Sequence, residues 1–554
     1  MVRFRRIVAP RRCSSCHQLR RASIPLHQDD GTAHGPMEWT VQTVFGGIET
    51  PLGSGKGDKN EAGRRGGPLP GEVRTWTVLG GMDAHPAGAT ASGGRRGKGT
   101  VLQSWRRNGR HARDGRSIGR GSTVACSTSR NLAGVQTPHS GYHFDGTDRR
   151  FFEGWYFRVT MPESGESFAL IYSVEDPLGN TPISGVGAQV MGPRNGYFVQ
   201  YDKRTADFWA QRNKLALGCN FKAMDGIQKK RYTDMVGEDQ FRREVKEGFQ
   251  SGTYQHQGRL VATDVNKALG KFSNPYLEAM QRPAVSTVPS CSWSFSTKPV
   301  YGWGDPSSQR ATAGWLAALP AFEPHWQIMM AHGVSSGWFQ WGDERFEFQD
   351  APTYAEKNWG GSFPQKWFWI QCNSFDGHPD LTLTAGGGTR ELPILPGSPE
   401  EDVAMIGVHC DGQFYEFVPW NGEVDWVVSP WGTWVMHGVN EGFEVFVEGT
   451  AVPEDGVVLR APTLKNGLVP FCKDTFSGQI RLKLVNRRSS QTVIQAGSNT
   501  GGLEVGGGPW WDTWAAKAAM KEPLRSLVKL PIDVGKAIDF VPEGLKPFVA
   551  PPGL

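Results

Sequence analysis

Phe443-Glu444-Val445-Phe446-Val447 is a run of aromatic and β-branched residues whose side chains alternate as they do along a half-buried antiparallel strand. Phe414-Tyr415-Glu416-Phe417-Val418 has the same pattern, and similar runs recur from residue 136 onward between Gly, Pro, Asn and Asp. Helical periodicity is scarce in this part of the chain. The sequence therefore predicts an all-β fold of antiparallel barrels or sandwiches. This strand-rich part of the chain, about 375 residues, is too long for one small barrel.

A weak internal repeat predicts two successive barrels. Residues 151–157 (FFEGWYF) and 363–369 (FPQKWFW) each place a tryptophan and two aromatic or apolar partners after an initial phenylalanine. We therefore expect one β domain over residues 136–335 and a second over residues 336–512.

The first 135 residues form a basic arm of different composition. They contain 22 Lys+Arg against 9 Asp+Glu, whereas residues 136–554 contain 38 against 46. Residues 1–28 hold seven arginines and no acid, which resembles an organelle transit peptide. Residues 30–135 are rich in Gly, Arg and Ser and too poor in apolar residues to bury a core, so we expect a disordered arm. Because the basic excess lies outside the acidic globular part, no nucleic-acid partner is expected.

The C-terminal segment, residues 513–554, mixes apolar residues such as Leu524, Val528 and Ile532 with lysines and prolines. Such an amphipathic, partly helical tail either lies on a lipid surface or packs across the floor of a barrel. No stretch of the chain approaches the ~18 uninterrupted apolar residues of a spanning helix, so no transmembrane segment is expected.

His139 and His143 are four residues apart near the start of the globular part. On a helix both rings would share one face and suit a metal ion, but Pro138 and Gly141 disfavour a helix and no third ligand is apparent. The alternative is a turn in which the rings hydrogen-bond to the backbone. The six cysteines after residue 28 include no C-x-x-C pair, so neither a zinc site nor a disulfide framework is indicated.

Glu323 and His325 flank Pro324 and would project to one side of an extended segment. A carboxylate in that position can orient an imidazole and fix its tautomer. The two residues are therefore either an acid/base pair or a solvent-facing pair at the end of a strand.

Tyr354, Glu356 and Asn358 alternate and would face the same way on a strand. Among neighbouring tryptophans the carboxyl group of Glu356 would be poorly solvated, which raises its pKa and keeps it protonated near neutral pH. Such an acid can donate a proton to a weak base. If Lys357 instead formed an ion pair with Glu356, the carboxylate would stay ionised and structural.

Six segments resemble those of the tocopherol cyclases of plants and algae. They are residues 137–146 (TPHSGYHFDG), 151–157 (FFEGWYF), 301–305 (YGWGD), 322–327 (FEPHWQ), 356–361 (EKNWGG) and 506–510 (GGGPW). The resemblance begins at about residue 136, continues to the end of the chain and leaves out residues 1–135. It implies two tandem lipocalin-like barrels, as in the related carotenoid hydratases.

The resemblance also implies an activity. Members of the family close the chromanol ring of vitamin E from 2-methyl-6-phytyl-benzoquinol or its dimethyl analogue, in plastids, at the lipid surface of plastoglobules, and without a redox cofactor. The hydratases carry a Y-x-D-H-x-W-G segment, and residues 354–360 (YAEKNWG) are its counterpart, with Glu356 for Asp and Lys357 for His. The role of the acid can survive the first change, whereas a role for the histidine is not carried over.

The chemistry of ring closure gives the candidate residues their expected roles. Glu356 would donate a proton to the phytyl double bond, His325 oriented by Glu323 would accept or relay the proton of the attacking hydroxyl group, and Asp305 would be a reserve acid. The cavity wall, whose aromatic faces would stabilise a cation, would contain Trp155, Trp303, Trp326, Tyr354, Asn358 and Trp359. Two other functions stay open: a non-catalytic carrier of prenylquinones, and a hydratase that adds water to an isoprenoid alkene.

Overall fold

Two eleven-stranded antiparallel sheets contain most of the described residues. The computed structural model describes residues 137–278, 284–319, 324–392 and 396–532, single positions at 534, 537 and 540, and two short strands in the arm. Those strands, β1 (Trp39–Val41) and β2 (Trp76–Val78), pair antiparallel with each other. The rest of the predicted arm, and most of the tail after residue 532, lie outside the described residues.

The first sheet is built from residues 152–360. Its strands are β3 (Phe152–Met161), β4 (Glu166–Glu175), β5 (Gly185–Gly192), β6 (Gly196–Asp202), β7 (Phe208–Ala210), β8 (Ala216–Ala223), β9 (Val245–Gly252), β10 (Gln255–Val261) and β11 (Ser290–Tyr301). A small hairpin of β12 (Gly304–Asp305) and β13 (Ser308–Gln309) precedes the long strands β14 (His325–Trp341) and β15 (Glu344–Gly360). The strand order is β6-β5-β4-β3-β15-β14-β11-β10-β9-β8-β7, so β3 and β15 lie side by side although they are distant in sequence.

The second sheet is built from residues 366–517. Its strands are β16 (Lys366–Cys372), β17 (Thr382–Glu391), β18 (Glu400–Cys410), β19 (Gln413–Phe417), β20 (Gly422–Ser429), β21 (Thr433–Asn440), β22 (Phe443–Thr450), β23 (Val457–Thr463), β24 (Gly467–Asn486), β25 (Gln491–Gly507) and β26 (Trp514–Lys517). The order is β19-β18-β17-β16-β25-β24-β22-β21-β20-β26, with β23 also paired to β24.

The few described helices are short connections. They are α1 (Glu238–Glu244), α2 (Val265–Leu269), α3 (Pro275–Glu278) and α4 (Leu524–Leu527), with 3₁₀ turns at Pro193–Asn195 and Gly314–Ala318. The side chain of Asp264 accepts a hydrogen bond from the backbone N–H of Lys267 and so caps α2. In the part of the chain that the structure describes, no helix is long and apolar enough to cross a bilayer.

The alternation that predicts strands from the sequence is present in β22, where Val445 and Val447 are buried and Glu444 and Phe446 are less so. The predicted all-β fold is confirmed, with two successive antiparallel sheets. The domain limits at residues 135, 335 and 512 stay a prediction. In the structure, the hydrogen-bonded strands of the first sheet end at residue 360, and those of the second sheet begin at residue 366.

The two sheets pack against each other as well as around their own cores. Met191 and Tyr197 of the first sheet share a buried cluster with Trp367, Leu459 and Leu468 of the second. A neighbouring cluster likewise combines residues of both sheets: Tyr301, Trp303, Ile328, Ala331, Tyr354 and Trp369. This interface between the sheets is where the main cavity lies.

Candidate active site

A cavity of about 1440 Å³, its open mouth included, lies between the two sheets. Strands β3, β4, β5, β14 and β15 supply one wall, and β16, β17, β18, β23, β24 and β25 supply the other. Most of the lining is apolar or aromatic, which suits a long hydrocarbon ligand. The aromatic lining residues are Trp155, Tyr156, Tyr172, Trp326, Phe363, Trp367, Phe368 and Trp369.

Glu356 of β15 reaches this cavity from the first sheet. Its Oε2 accepts three hydrogen bonds, from the indole N–H of Trp326 at 2.8 Å, the indole N–H of Trp369 at 3.0 Å and the hydroxyl group of Tyr354 at 2.5 Å. All three donors are on aromatic side chains, and only 8% of the Glu356 surface is exposed. The carboxyl group is thus fixed in position by one oxygen.

The other oxygen of Glu356, Oε1, has no hydrogen-bond partner among the described residues. Burial raises the pKa of this carboxyl group to about 6, although the three donors favour the ionised form. About a tenth of the molecules therefore hold this proton at pH 7 and about half at pH 6, and Oε1 is the oxygen free to carry it. The arrangement can deliver a proton to a weak base in the cavity.

Lys357 does not form an ion pair with Glu356, because consecutive strand residues point to opposite faces. Its ammonium lies 2.6 Å from Glu153 Oε1 and donates to the backbone carbonyl of Gly141 at 2.5 Å, with both charged side chains fully buried. The sequence left open whether Glu356 forms an ion pair with Lys357. In the structure, Lys357 forms its ion pair with Glu153 and not with Glu356.

The two histidines near the start of the globular part join the same buried network. His139 Nδ1 lies 3.2 Å from His143 Nε2, and Glu153 accepts from the backbone N–H of His143 at 2.8 Å. Burial, and then neighbouring charged groups, keep the pKa of both imidazoles well below the ordinary value, so the rings are neutral. Their partners are each other and Glu153, and the described residues contain no group of three or more metal-ligating side chains.

His325 begins β14 and lines the cavity. Its ring stacks on Trp359, with centroids 4.7 Å apart and an interplanar angle of 14°. Burial, and then the neighbouring His139, lower the pKa of His325 to about 3. The imidazole is therefore neutral at physiological pH and has a lone pair to accept a proton. Its expected partner Glu323 lies outside the described residues.

The sequence of the chain is similar to those of known proteins over most of its length. A model of the family described as tocopherol cyclase-like matches residues 149–507. The chain belongs to this family. The tocopherol cyclase, chloroplastic, of Zea mays is 45% identical over 441 residues, covering 76% of this chain and 87% of the relative. The probable tocopherol cyclase, chloroplastic, of Oryza sativa subsp. japonica is 43% identical over 452 residues, covering 78% and 90%.

Solved structures also align with the chain. Kievitone hydratase from Nectria haematococca shares 10% identity with a TM-score of 0.35, over 69% of this chain and 96% of that one. A putative AttH protein from Nitrosomonas europaea shares 12% identity with a TM-score of 0.34, over 65% and 93%.

Every residue that lines the cavity lies within the matched tocopherol cyclase-like segment. Of the cavity-wall residues expected from the sequence, Trp155, Trp326 and Asn358 line it. Tyr354 lies behind Glu356 as a hydrogen-bond donor, and Trp359 lies behind His325 as a stacking partner. Three of the predicted wall residues thus line the cavity, and two others contact Glu356 and His325 from outside it.

Two expected residues are not brought to the cavity of this tocopherol cyclase-like chain. Asp305 is exposed on the β12–β13 hairpin and is absent from the lining. Trp303 is fully buried beside the cavity, where its indole N–H donates to Glu416 at 2.8 Å and its ring contacts Phe414.

Sequence reasoning missed a second cavity carboxyl group, Glu504 of β25. The indole N–H of Trp367 donates to its Oε1, and burial raises the pKa of Glu504 above the ordinary value. Glu504 lies between Leu503 and Val505 in a glycine-rich run, so a lone acid in an apolar alternating strand was the available signal.

Proposed function

We propose that this chain catalyses the acid-catalysed closure of the chromanol ring from 2-methyl-6-phytyl-benzoquinol and its dimethyl analogue. The observation that carries the proposal is a buried carboxyl group, Glu356, held by three aromatic donors and facing an apolar cavity in a member of the tocopherol cyclase-like family. Both curated relatives are named as tocopherol cyclases.

Each bond change of the reaction has a matching group in this assignment. Glu356 transfers the proton on Oε1 to the phytyl double bond, which leaves a positive charge on the tertiary carbon. The adjacent hydroxyl oxygen of the quinol bonds to that carbon, and its O–H bond breaks. His325 receives the released proton, which returns to Glu356 before the next turnover, so no proton is consumed overall. Positioned acid and base groups each contribute typically ~10²- to 10⁴-fold.

The aromatic lining supports the charged step in two ways. Trp326 and Trp369 line the cavity beside Glu356, and an aromatic face next to a carbocation attracts it by about 0.5–2 kcal/mol when desolvated. The apolar walls also keep water from the cation, since water would give a tertiary alcohol in place of the ring. Folding the phytyl chain so that oxygen and carbon lie within ~3.5 Å contributes through proximity.

Two further roles belong to Glu323, which lies outside the described residues, and to Asp305. Glu323 is proposed to orient His325, and Asp305 is retained only as a reserve acid because it is exposed on its hairpin. Direct proton transfer is therefore proposed for Glu356 and His325 alone.

The protein acts in the plastid, and we propose that it does so at a lipid surface such as a plastoglobule. Support comes from exposed apolar side chains near the described end of the chain: Trp511, Leu527, Leu530, Ile532 and Phe540. Leu524 and Val528 instead pack with Leu316, so the segment is anchored on one side and apolar on the other. Changing Leu527, Leu530 and Ile532 together to serine should reduce co-sedimentation with lipid vesicles, and unchanged binding would contradict this surface.

Incubation of the purified protein with the phytyl benzoquinol in heavy water tests the proposed activity. A chromanol carrying one carbon-bound deuterium is the expected product, because the proton from the acid ends on carbon. A tertiary alcohol would show a hydratase, and unchanged substrate would show a carrier.

A further inference from the structure

Glu504 is a second carboxyl group in the cavity, and it comes from a different sheet than Glu356. Glu356 comes from β15 of the first sheet and Glu504 from β25 of the second, and both line the cavity. Glu504 is cross-strand partner to Trp369 of β16, whose indole N–H donates to Glu356. Both carboxyl groups are therefore neighbours of the same tryptophan.

Strand β16 holds both acids through the same kind of contact. Trp367 and Trp369 are two residues apart and so face the same way, with the first donating its indole N–H to Glu504 and the second to Glu356. An ionised carboxylate has about four acceptor sites. Glu504 is half-buried because one side of it opens onto the cavity. It has acceptor capacity left for a ligand.

Asp474 of β24 lies behind Glu504 as its cross-strand partner. Asp474 is fully buried, and neither of its oxygens has a side-chain hydrogen-bond partner among the described residues. Burial raises the pKa of both acids, and the charge of Glu504 raises that of Asp474 further. Glu504 is the member of this pair that a ligand can contact.

The other polar side chains on the second-sheet side of the cavity already have partners. Arg460 donates to Asn266 and to a backbone carbonyl, and Arg390 pairs with Glu401. Gln189, which faces them from the first sheet, hydrogen-bonds to the backbone of Arg460. A hydroxyl group buried at this wall would find its acceptor in Glu504.

We propose that Glu504 binds the hydroxyl group of the quinol that does not close the ring. The inference rests on the proposed function, in which the reacting hydroxyl group and the double bond lie next to Glu356. A benzoquinol carries its second hydroxyl group on the far side of the ring, and a buried hydroxyl group without an acceptor is costly. Glu504 thereby fixes the orientation of the ring and selects substrates with both hydroxyl groups.

A pair of substrates tests this assignment in the full-length protein. The first is the phytyl benzoquinol, and the second is the corresponding phytyl phenol without the second hydroxyl group. For Glu504→Leu we expect the KM of the benzoquinol to rise about 10- to 100-fold, the cost of a buried hydroxyl group left without its acceptor, while kcat changes little. The KM of the phytyl phenol should stay at its wild-type value. Glu504→Gln should recover part of the loss, because an amide oxygen also accepts a hydrogen bond.

The outcomes separate this inference from the function on which it rests. An equal loss for both substrates would make Glu504 a scaffold residue or a proton-transfer group, and unchanged constants for both would remove it from the site; either result overturns the proposal. If the wild-type protein cyclised neither substrate, the proposed function itself would fail, and this inference with it. Thermal unfolding of each variant identifies a loss of activity that comes only from misfolding.

Discussion

Glu356 combines the two properties that a proton donor to an alkene needs: a pKa of about 6 and an oxygen without a protein partner. Glu356→Gln keeps the shape and can keep hydrogen-bond contacts, but it has no acidic proton. We expect cyclisation to fall by at least about 10²- to 10⁴-fold with little change in the melting temperature. Chromanol formation measured by chromatography checks this, and near-normal turnover would remove Glu356 from the mechanism.

The chain offers a matched control for this substitution. Glu416 also accepts an indole N–H, from Trp303 at 2.8 Å, and burial also raises its pKa, but it does not line the cavity. Glu416→Gln should therefore cyclise the quinol at close to the wild-type rate. A loss as large as that of Glu356→Gln would mean that buried acids in general, and not the cavity acid, account for the effect.

The hydroxyl group of Tyr354 sets the pH range of the proposed donor. Activity requires protonated Glu356, so the rate should fall as the pH rises above about 6. Tyr354 donates to Glu356 and stabilises its ionised form. Tyr354→Phe removes that donor and should raise the pKa of Glu356, so the fall in kcat should move to higher pH.

A pH profile of product formation between about pH 5 and 9 measures this shift. Tyr156→Phe is the control, because the buried hydroxyl group of Tyr156 makes no hydrogen bond among the described residues. That variant should keep the wild-type position of the fall. A Tyr354→Phe profile that moves to lower pH would contradict the proposed protonation state.

The candidate site is partly predictable from the sequence, and the exceptions have physical reasons. The alternation of residues 354–358 is enough to place Glu356 on one face and Lys357 on the other, but not to name the partner of Lys357. Glu504 was missed because its environment depends on Trp367, which is 137 positions away in the chain. Asp305, the expected reserve acid, is exposed on a two-residue strand, and so short an element leaves no periodic signal from which its exposure could be predicted.

At the scale of elements, β15 carries the proposed proton donor Glu356 on one face and a buried ion pair on the other. Lys357 and Glu153 connect β15 to β3, and the contact from Lys357 to Gly141 adds the segment that precedes β3. Lys357→Met leaves Glu153 without its cation in a fully buried position. We expect a loss of about 3–5 kcal/mol in the free energy of unfolding, measured by urea denaturation.

A second variant shows whether that loss comes from the unpaired charge. The double change Lys357→Met with Glu153→Gln removes both charges, so it should be less destabilised than Lys357→Met alone. If the double variant were instead as unstable as the sum of the single changes, the ion pair would not be the cause.

The existence of strands was easier to predict than their pairing. The runs at residues 155–159 and 443–447 alternate or are strongly β-forming, and both are strands in the structure. The pairing of β3 with β15 joins residues about 200 positions apart, for example Tyr156 with Glu356. Single-sequence periodicity contains no information on such partners, because it reports only which face of a strand is apolar.

At the scale of the whole molecule, the site belongs to neither sheet alone. Glu356 is on the first sheet, yet Trp369, one of its three donors, and the second acid Glu504 are on the second. The geometry of the proposed proton transfer therefore depends on the contact between the sheets.

Arg158 of β3 is a buried connection between the two sheets. It donates to the side-chain oxygen of Gln371 at 2.7 Å and to the backbone carbonyl of Thr500 at 2.5 Å, and its guanidinium lies 4.4 Å from the ring centre of Phe476. Arg158→Met leaves both acceptors buried without a donor, at about 1–3 kcal/mol each. We expect the free energy of unfolding to fall by about 2–6 kcal/mol. Arg481→Met is the control, since the pair of Arg481 with Glu448 is exposed and is expected to contribute less than about 1 kcal/mol. Equal losses in the two variants, measured by urea denaturation, would show that Arg158 does not hold the sheets together.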